Sequence, residues 1–139
     1  MKKKNVLKRL LCLMAVVALL TPSTVAFAQN YSDVYVNGNS YGVVAEGTMD
    51  DGCNYITVVL TEIMKADGSE SNYKKVLADV CDADGNQISI LTDNVVKLQK
   101  ATLIPLMQTY PAGTRVKLRM MGNNIFLDCI VSFSASITE

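Results

Sequence analysis

Beyond residue 28, apolar and polar positions alternate with period two in short runs, broken at intervals by Gly, Asn and Asp. This is the pattern of half-buried β-strands, whose successive side chains point to opposite faces. In Thr114–Met121, Val116, Leu118 and Met120 alternate with Arg115, Lys117 and Arg119. After Gly122-Asn123-Asn124 the alternation resumes with Ile125, Leu127, Cys129, Val131, Phe133 and Ala135 on one face. A two-residue loop at Asn123-Asn124 predicts a hairpin in which Met120 opposes Leu127, Leu118 opposes Cys129 and Val116 opposes Val131. On its other face Arg119 would meet Asp128.

The same reasoning applies upstream. Asn37-Gly38 and Asp51-Gly52 are turn dipeptides, and each predicts a hairpin between its flanking runs. The second would set Val43 against Leu60 and Ala45 against Val58. Asp67-Gly68 and Ala83-Asp84-Gly85 bound the run Tyr73–Asp82, whose Val76, Ala78 and Val80 point inward. That run is expected beside Asn54–Met64 as its antiparallel neighbour. Asp93–Tyr110 is the weakest segment and reads as strand, with Pro105 confining any helix to the residues before it.

About seven strands with turns every 8–12 residues or so predict a single antiparallel β-sandwich. The stretch Tyr110-Pro111-Ala112-Gly113-Thr114-Arg115-Val116 resembles the proline-glycine entry to a late strand of immunoglobulin-like sandwiches. The expected fold class is therefore an all-β, immunoglobulin-like sandwich spanning residues 29–139.

The first 28 residues have a different composition. Lys2, Lys3, Lys4, Lys8 and Arg9 precede an apolar run, Leu10–Leu20, and the segment closes on Ala26-Phe27-Ala28. This is the layout of a secretory signal peptide, and the run is shorter than the roughly 20 residues of a membrane span. Cleavage after Ala28 would release a secreted, extracellular domain of bacterial type with no membrane-spanning segment. Removing residues 1–28 takes away five of the 13 basic side chains and none of the 13 acidic ones, which leaves a net charge of −5. That balance argues against nucleic acid as a partner.

Three cysteines follow the leader: Cys53, Cys81 and Cys129. An exported chain permits disulfides. If Asn54–Met64 and Tyr73–Asp82 are neighbours, Cys53 and Cys81 share an end and a face, so a Cys53–Cys81 bridge is expected. Cys129 lies on the inward row and is expected to be buried as a small hydrophobe.

The chain has no His, which excludes Ser-His-Asp and Cys-His catalysis and His-bearing zinc sites. No Gly-rich phosphate loop precedes a helix. Asp50 and Asp51 in one turn, with Asp82, Asp84 and Asn86 in another, form a candidate calcium site, since Ca²⁺ favours clustered oxygen ligands. No other cofactor is implied. Arg115, Lys117 and Arg119 form a basic face suited to an anionic envelope polymer or an acidic extracellular protein, and six Tyr offer stacking surface for glycans. The expectation is a non-catalytic binding or interaction module outside the cell. The alternatives are a small carboxylate-based hydrolase and a structural or inhibitory protein with no small ligand.

Overall fold

The computed structural model describes residues 29–49, 52–123 and 127–139. The expected signal peptide therefore lies outside the described residues. Nine strands form in chain order: β1 (Gln29–Val36), β2 (Gly42–Met49), β3 (Cys53–Lys65), β4 (Lys75–Asp82), β5 (Asn94–Lys97), β6 (Ala101–Tyr110), β7 (Arg115–Gly122), β8 (Cys129–Ala135) and β9 (Ile137–Thr138). They make a four-stranded sheet ordered β1-β8-β3-β6 and a five-stranded sheet ordered β5-β4-β7-β2-β9. No helix occurs among the described residues, and Asp93–Tyr110 contains two strands, as its reading as strand predicts.

The two sheets pack face to face as a β-sandwich, and alternation explains what lies between them. Val116, Leu118 and Met120 of β7 are buried, as are Cys129, Val131, Phe133 and Ala135 of β8. From β3 come Ile56, Val58 and Leu60, and from β4 come Val76, Ala78 and Val80. Fully burying one Leu or Phe side chain contributes about 1.5–3 kcal/mol. Two bulges adjust the parity of long strands. The register of β3 shifts between Leu60 and Glu62, so that Ile63 rejoins the core face. A shift in β2 between Val43 and Ala45 lets Val44 and Ala45 both be buried.

The expected hairpins are where sequence and structure part. β1 pairs with β8, β2 with β7 and β9, and β3 with β6 and β8. Among the described strands β1–β8, six of the seven connections cross from one sheet to the other, and β4 to β5 alone stays within a sheet. That strand order is the connectivity of a double-sheet jelly roll, with β9 added at the β2 edge. It replaces the immunoglobulin-like arrangement, in which the first two strands are neighbours in one sheet.

Leu118 accordingly faces the β8 row across the sandwich. Its neighbours within its own sheet are Ala45 and Val80. Leu127 is 46% exposed. The Arg119–Asp128 pair does not form: Arg119 binds Asp79, while Asp128 accepts hydrogen bonds from the Tyr35 hydroxyl and from the Gly38 amide at 2.8 Å. The reason for the misplaced turn is visible at Gly38. A Cβ there would meet the Leu127 backbone at 2.6–2.7 Å. This glycine permits close approach between two chain segments, and Gly38 is not among the positive-φ residues.

Candidate functional site

The three cysteines are unpaired, which corrects the expected Cys53–Cys81 bridge. Cys53 opens β3 in one sheet and Cys81 lies near the end of β4 in the other. Facing sheets are about 10 Å apart, beyond the Cα separation of roughly 7 Å that a disulfide spans. Cys81 also shares a face with Lys117, its register partner, and points away from the opposite sheet. The Cys53 thiol donates to the Tyr55 carbonyl at 3.0 Å. Cys129 is buried in the core, and burial, with a smaller effect of Asp128, pushes its thiol up to about 11.

Of the candidate calcium ligands, Asp50 and Asp51 lie outside the described residues. The ends of β2 and β4 do fall at one end of their sheet, since Gly47 and Asp82 flank Val116 from its two sides. Asp82 is already occupied by its own turn. It accepts hydrogen bonds from the backbone amides of Asp84 at 3.0 Å and Asn86 at 2.9 Å, and from the Asn86 side chain at 3.1 Å. These bonds, the Asn86 side chain first, hold its carboxyl below the usual carboxylate range. No group of three acidic or cysteine side chains suited to a metal ion occurs among the described residues.

The basic face is in place on β7, but acidic residues face all three of its members. Arg115 lies 3.5 Å from Glu46. Lys117 is opposite Glu46 in register. Arg119 makes hydrogen bonds of 2.8 and 2.5 Å to Asp79, which is 1% exposed. The Tyr41 ring lies 5.6 Å from the same guanidinium. Its hydroxyl sits 2.7 Å from both the Thr92 carbonyl and the Asp93 carboxylate. Of the other tyrosines, Tyr31 is stacked on Phe133, and Tyr35 and Tyr55 are the exposed ones.

The concentrated positive charge lies elsewhere. A cleft of about 470 Å³ at the β4–β5 edge is lined by Lys74, Lys75, Lys97, Leu98, Gln99 and Lys100. Thus four of the eight basic side chains beyond residue 28 surround one depression, and no acidic residue lines it. None of these four lysines forms an ion pair with another described residue. Lys75 and Lys97 are direct cross-strand partners, a like-charge placement that destabilises a sheet.

Backbone bonds fix the cleft wall. The Leu98 amide donates to the Lys74 carbonyl at 2.7 Å, the Gln99 amide to the Leu60 carbonyl at 2.7 Å and the Lys100 amide to the Lys97 carbonyl at 3.3 Å. Gln99 holds a left-handed φ of 58°, a conformation uncommon for residues other than glycine. Such residues collect at binding and active sites. Lys97 and Lys100 line the same depression as Lys75, the first residue of β4, and Lys74 before it. Sequence reasoning passed over this cluster, because its two lysine pairs are over twenty residues apart and meet through the β4–β5 register alone.

No protein-family model matches the chain, and neither does any curated protein or solved structure.

Proposed function

We propose that the protein is an exported, non-catalytic binding module that engages an anionic partner outside the cell through the Lys74–Lys100 cleft. The observation that carries this reading is the gathering of four unpaired lysines around one acid-free depression, in a chain that is net acidic beyond residue 28. Like charges brought this close raise the free energy of the free protein, and a bound anion relieves that repulsion. The leader-like residues 1–28 support export. The β7 row is the weaker candidate for the same partner, since Glu46 and Asp79 already face it.

Chromatography on a sulfonate cation exchanger at neutral pH and low salt tests the reading. A net-acidic protein is expected to pass through unless its cations are concentrated. Retention of the wild type, lost when Lys74, Lys75, Lys97 and Lys100 are all changed to Gln, supports the cleft. Passage of the wild type through the column, or retention abolished instead by Arg115→Gln with Lys117→Gln, overturns it. Export is checked by the intact mass of protein recovered from the medium, with Gln29 expected as the first residue.

A further inference from the structure

We infer that the anion for which the cleft is built is a multiply charged phosphoryl group, whether a compact oligophosphate or part of a phosphate-rich polymer, in preference to singly charged carboxylates. This rests on the anion-binding reading above. Four features of the site carry it.

The first is charge density. Four lysines line one open cleft of about 470 Å³. Balancing them within that space calls for a ligand with several charges in a short length. A phosphate monoester carries about −1.5 to −2 near neutral pH, against −1 for a carboxylate. The second is donor type. All four cations are lysines. An ammonium acts as a compact point charge with three rotatable donors and binds phosphate in that way, so that its pull grows with the charge on the ligand. The planar fork that grips carboxylate and phosphate alike belongs to arginine, and both arginines of the described residues sit on β7 facing acids.

The third feature is the placement of Lys75 opposite Lys97, which a bridging dianion or polyanion would neutralise from both strands at once. The fourth is Gln99, an uncommon left-handed residue between Lys97 and Lys100 that also lines the cleft. A glutamine there offers a neutral donor beside the charges. Leu98, also on the wall, is partly buried against the core, so the turn is anchored without any ligand.

The test measures binding of the purified protein to tripolyphosphate, to long-chain polyphosphate and to polyglutamate at neutral pH by calorimetry. Phosphate probes are expected to bind at least tenfold more tightly than polyglutamate, compared per charged group. Release of about four counterions predicts an affinity loss of about 100-fold between about 50 and about 200 mM NaCl. Tripolyphosphate equal to the polymer assigns a compact ligand, and a clear polymer advantage assigns a chain. Both results support the inference.

Lys75→Gln with Lys97→Gln should weaken phosphate binding at least tenfold while raising the melting temperature of the free protein, which separates lost binding from lost folding. Polyglutamate within tenfold of the phosphate probes overturns the phosphoryl assignment and leaves the anion reading standing. Absence of salt-sensitive binding to all three probes overturns both, and unchanged phosphate binding in the double variant overturns the site.

Discussion

Arg119 reaches from β7 to Asp79 on the neighbouring β4 and holds its carboxylate through two hydrogen bonds, 2.8 and 2.5 Å long. Asp79 is 1% exposed, although it lies on the outer face of its sheet. Removing the guanidinium leaves a buried carboxylate without its partner. Arg119→Ala is therefore expected to cost about 3–5 kcal/mol, measured by chemical denaturation. Replacing both residues with Leu should recover most of that loss, because two apolar side chains leave no uncompensated charge. A cost below about 1 kcal/mol for Arg119→Ala would place the pair among ordinary surface ion pairs.

The cleft lysines make the opposite prediction. Lys75 and Lys97 face each other in register, and cross-strand pairs of this kind contribute about 0.2–1 kcal/mol in either direction. Lys75→Gln should raise the melting temperature by a few degrees, since about 1 kcal/mol corresponds to roughly 4–8 °C in a domain of this size. The gain should shrink at high salt, where the repulsion is screened. A lowered melting temperature would show that Lys75 supports the fold.

Thiol chemistry should distinguish the cysteines. Cys81 and Cys129 are buried, and Cys53 is half-exposed. Brief maleimide treatment of the folded domain is expected to label Cys53 first, and denaturation should expose the other two. Intact mass and peptide mapping decide this. A Cys53–Cys81 disulfide in non-reduced protein would require β3 and β4 to be neighbours and would overturn the strand order.

Burial raises the pKa of Cys129 to about 11, and burial is also the largest cause of the upward shifts at Cys81 and Tyr41. These groups are neutral when protonated, so the folded state binds their protons more tightly than the unfolded state does. For Cys129 the contribution is complete below the ordinary thiol value of 9.0 and is lost as pH rises through about 11. Stability should fall across that window, with a shallower fall in Cys129→Ala. A flat profile in urea titrations, or the same slope in the variant, contradicts the assignment.

Most inward-facing positions were legible in the sequence, with Val43 and Leu127, both exposed, as the exceptions; which strands are neighbours was not. The rows Val116–Met120 and Cys129–Ala135 are both buried, as alternation requires. Alternation specifies a face, however, and an apolar row is equally satisfied by a neighbour beside it or by one across the core. Asn37-Gly38 compounds the ambiguity, because a glycine that permits contact with Leu127 has the same appearance as one that makes a hairpin. The β7 basic row was legible, but its neutralisation by Glu46 and Asp79 depends on pairing with β2 and β4. The lysine cleft needs one register, that of Lys75 with Lys97, and no local pattern signals it.

The pairing of β1 with β8 sets the order in which this molecule can become a folded object. Gln29 is bonded in register to Ala135, and β8 also supplies the neighbour of β3. A chain emerging from its N-terminus thus has no partner for its first strand until nearly its last residues appear. Until then the four-stranded sheet is missing the strand that joins β1 to β3, and the core lacks Phe133 and Val131. Such distant contacts make for slow, all-or-none folding, on the order of milliseconds to seconds. A stop after residue 128 would leave β1 and β3 without the strand that lies between them, and the sandwich with nothing that can close it.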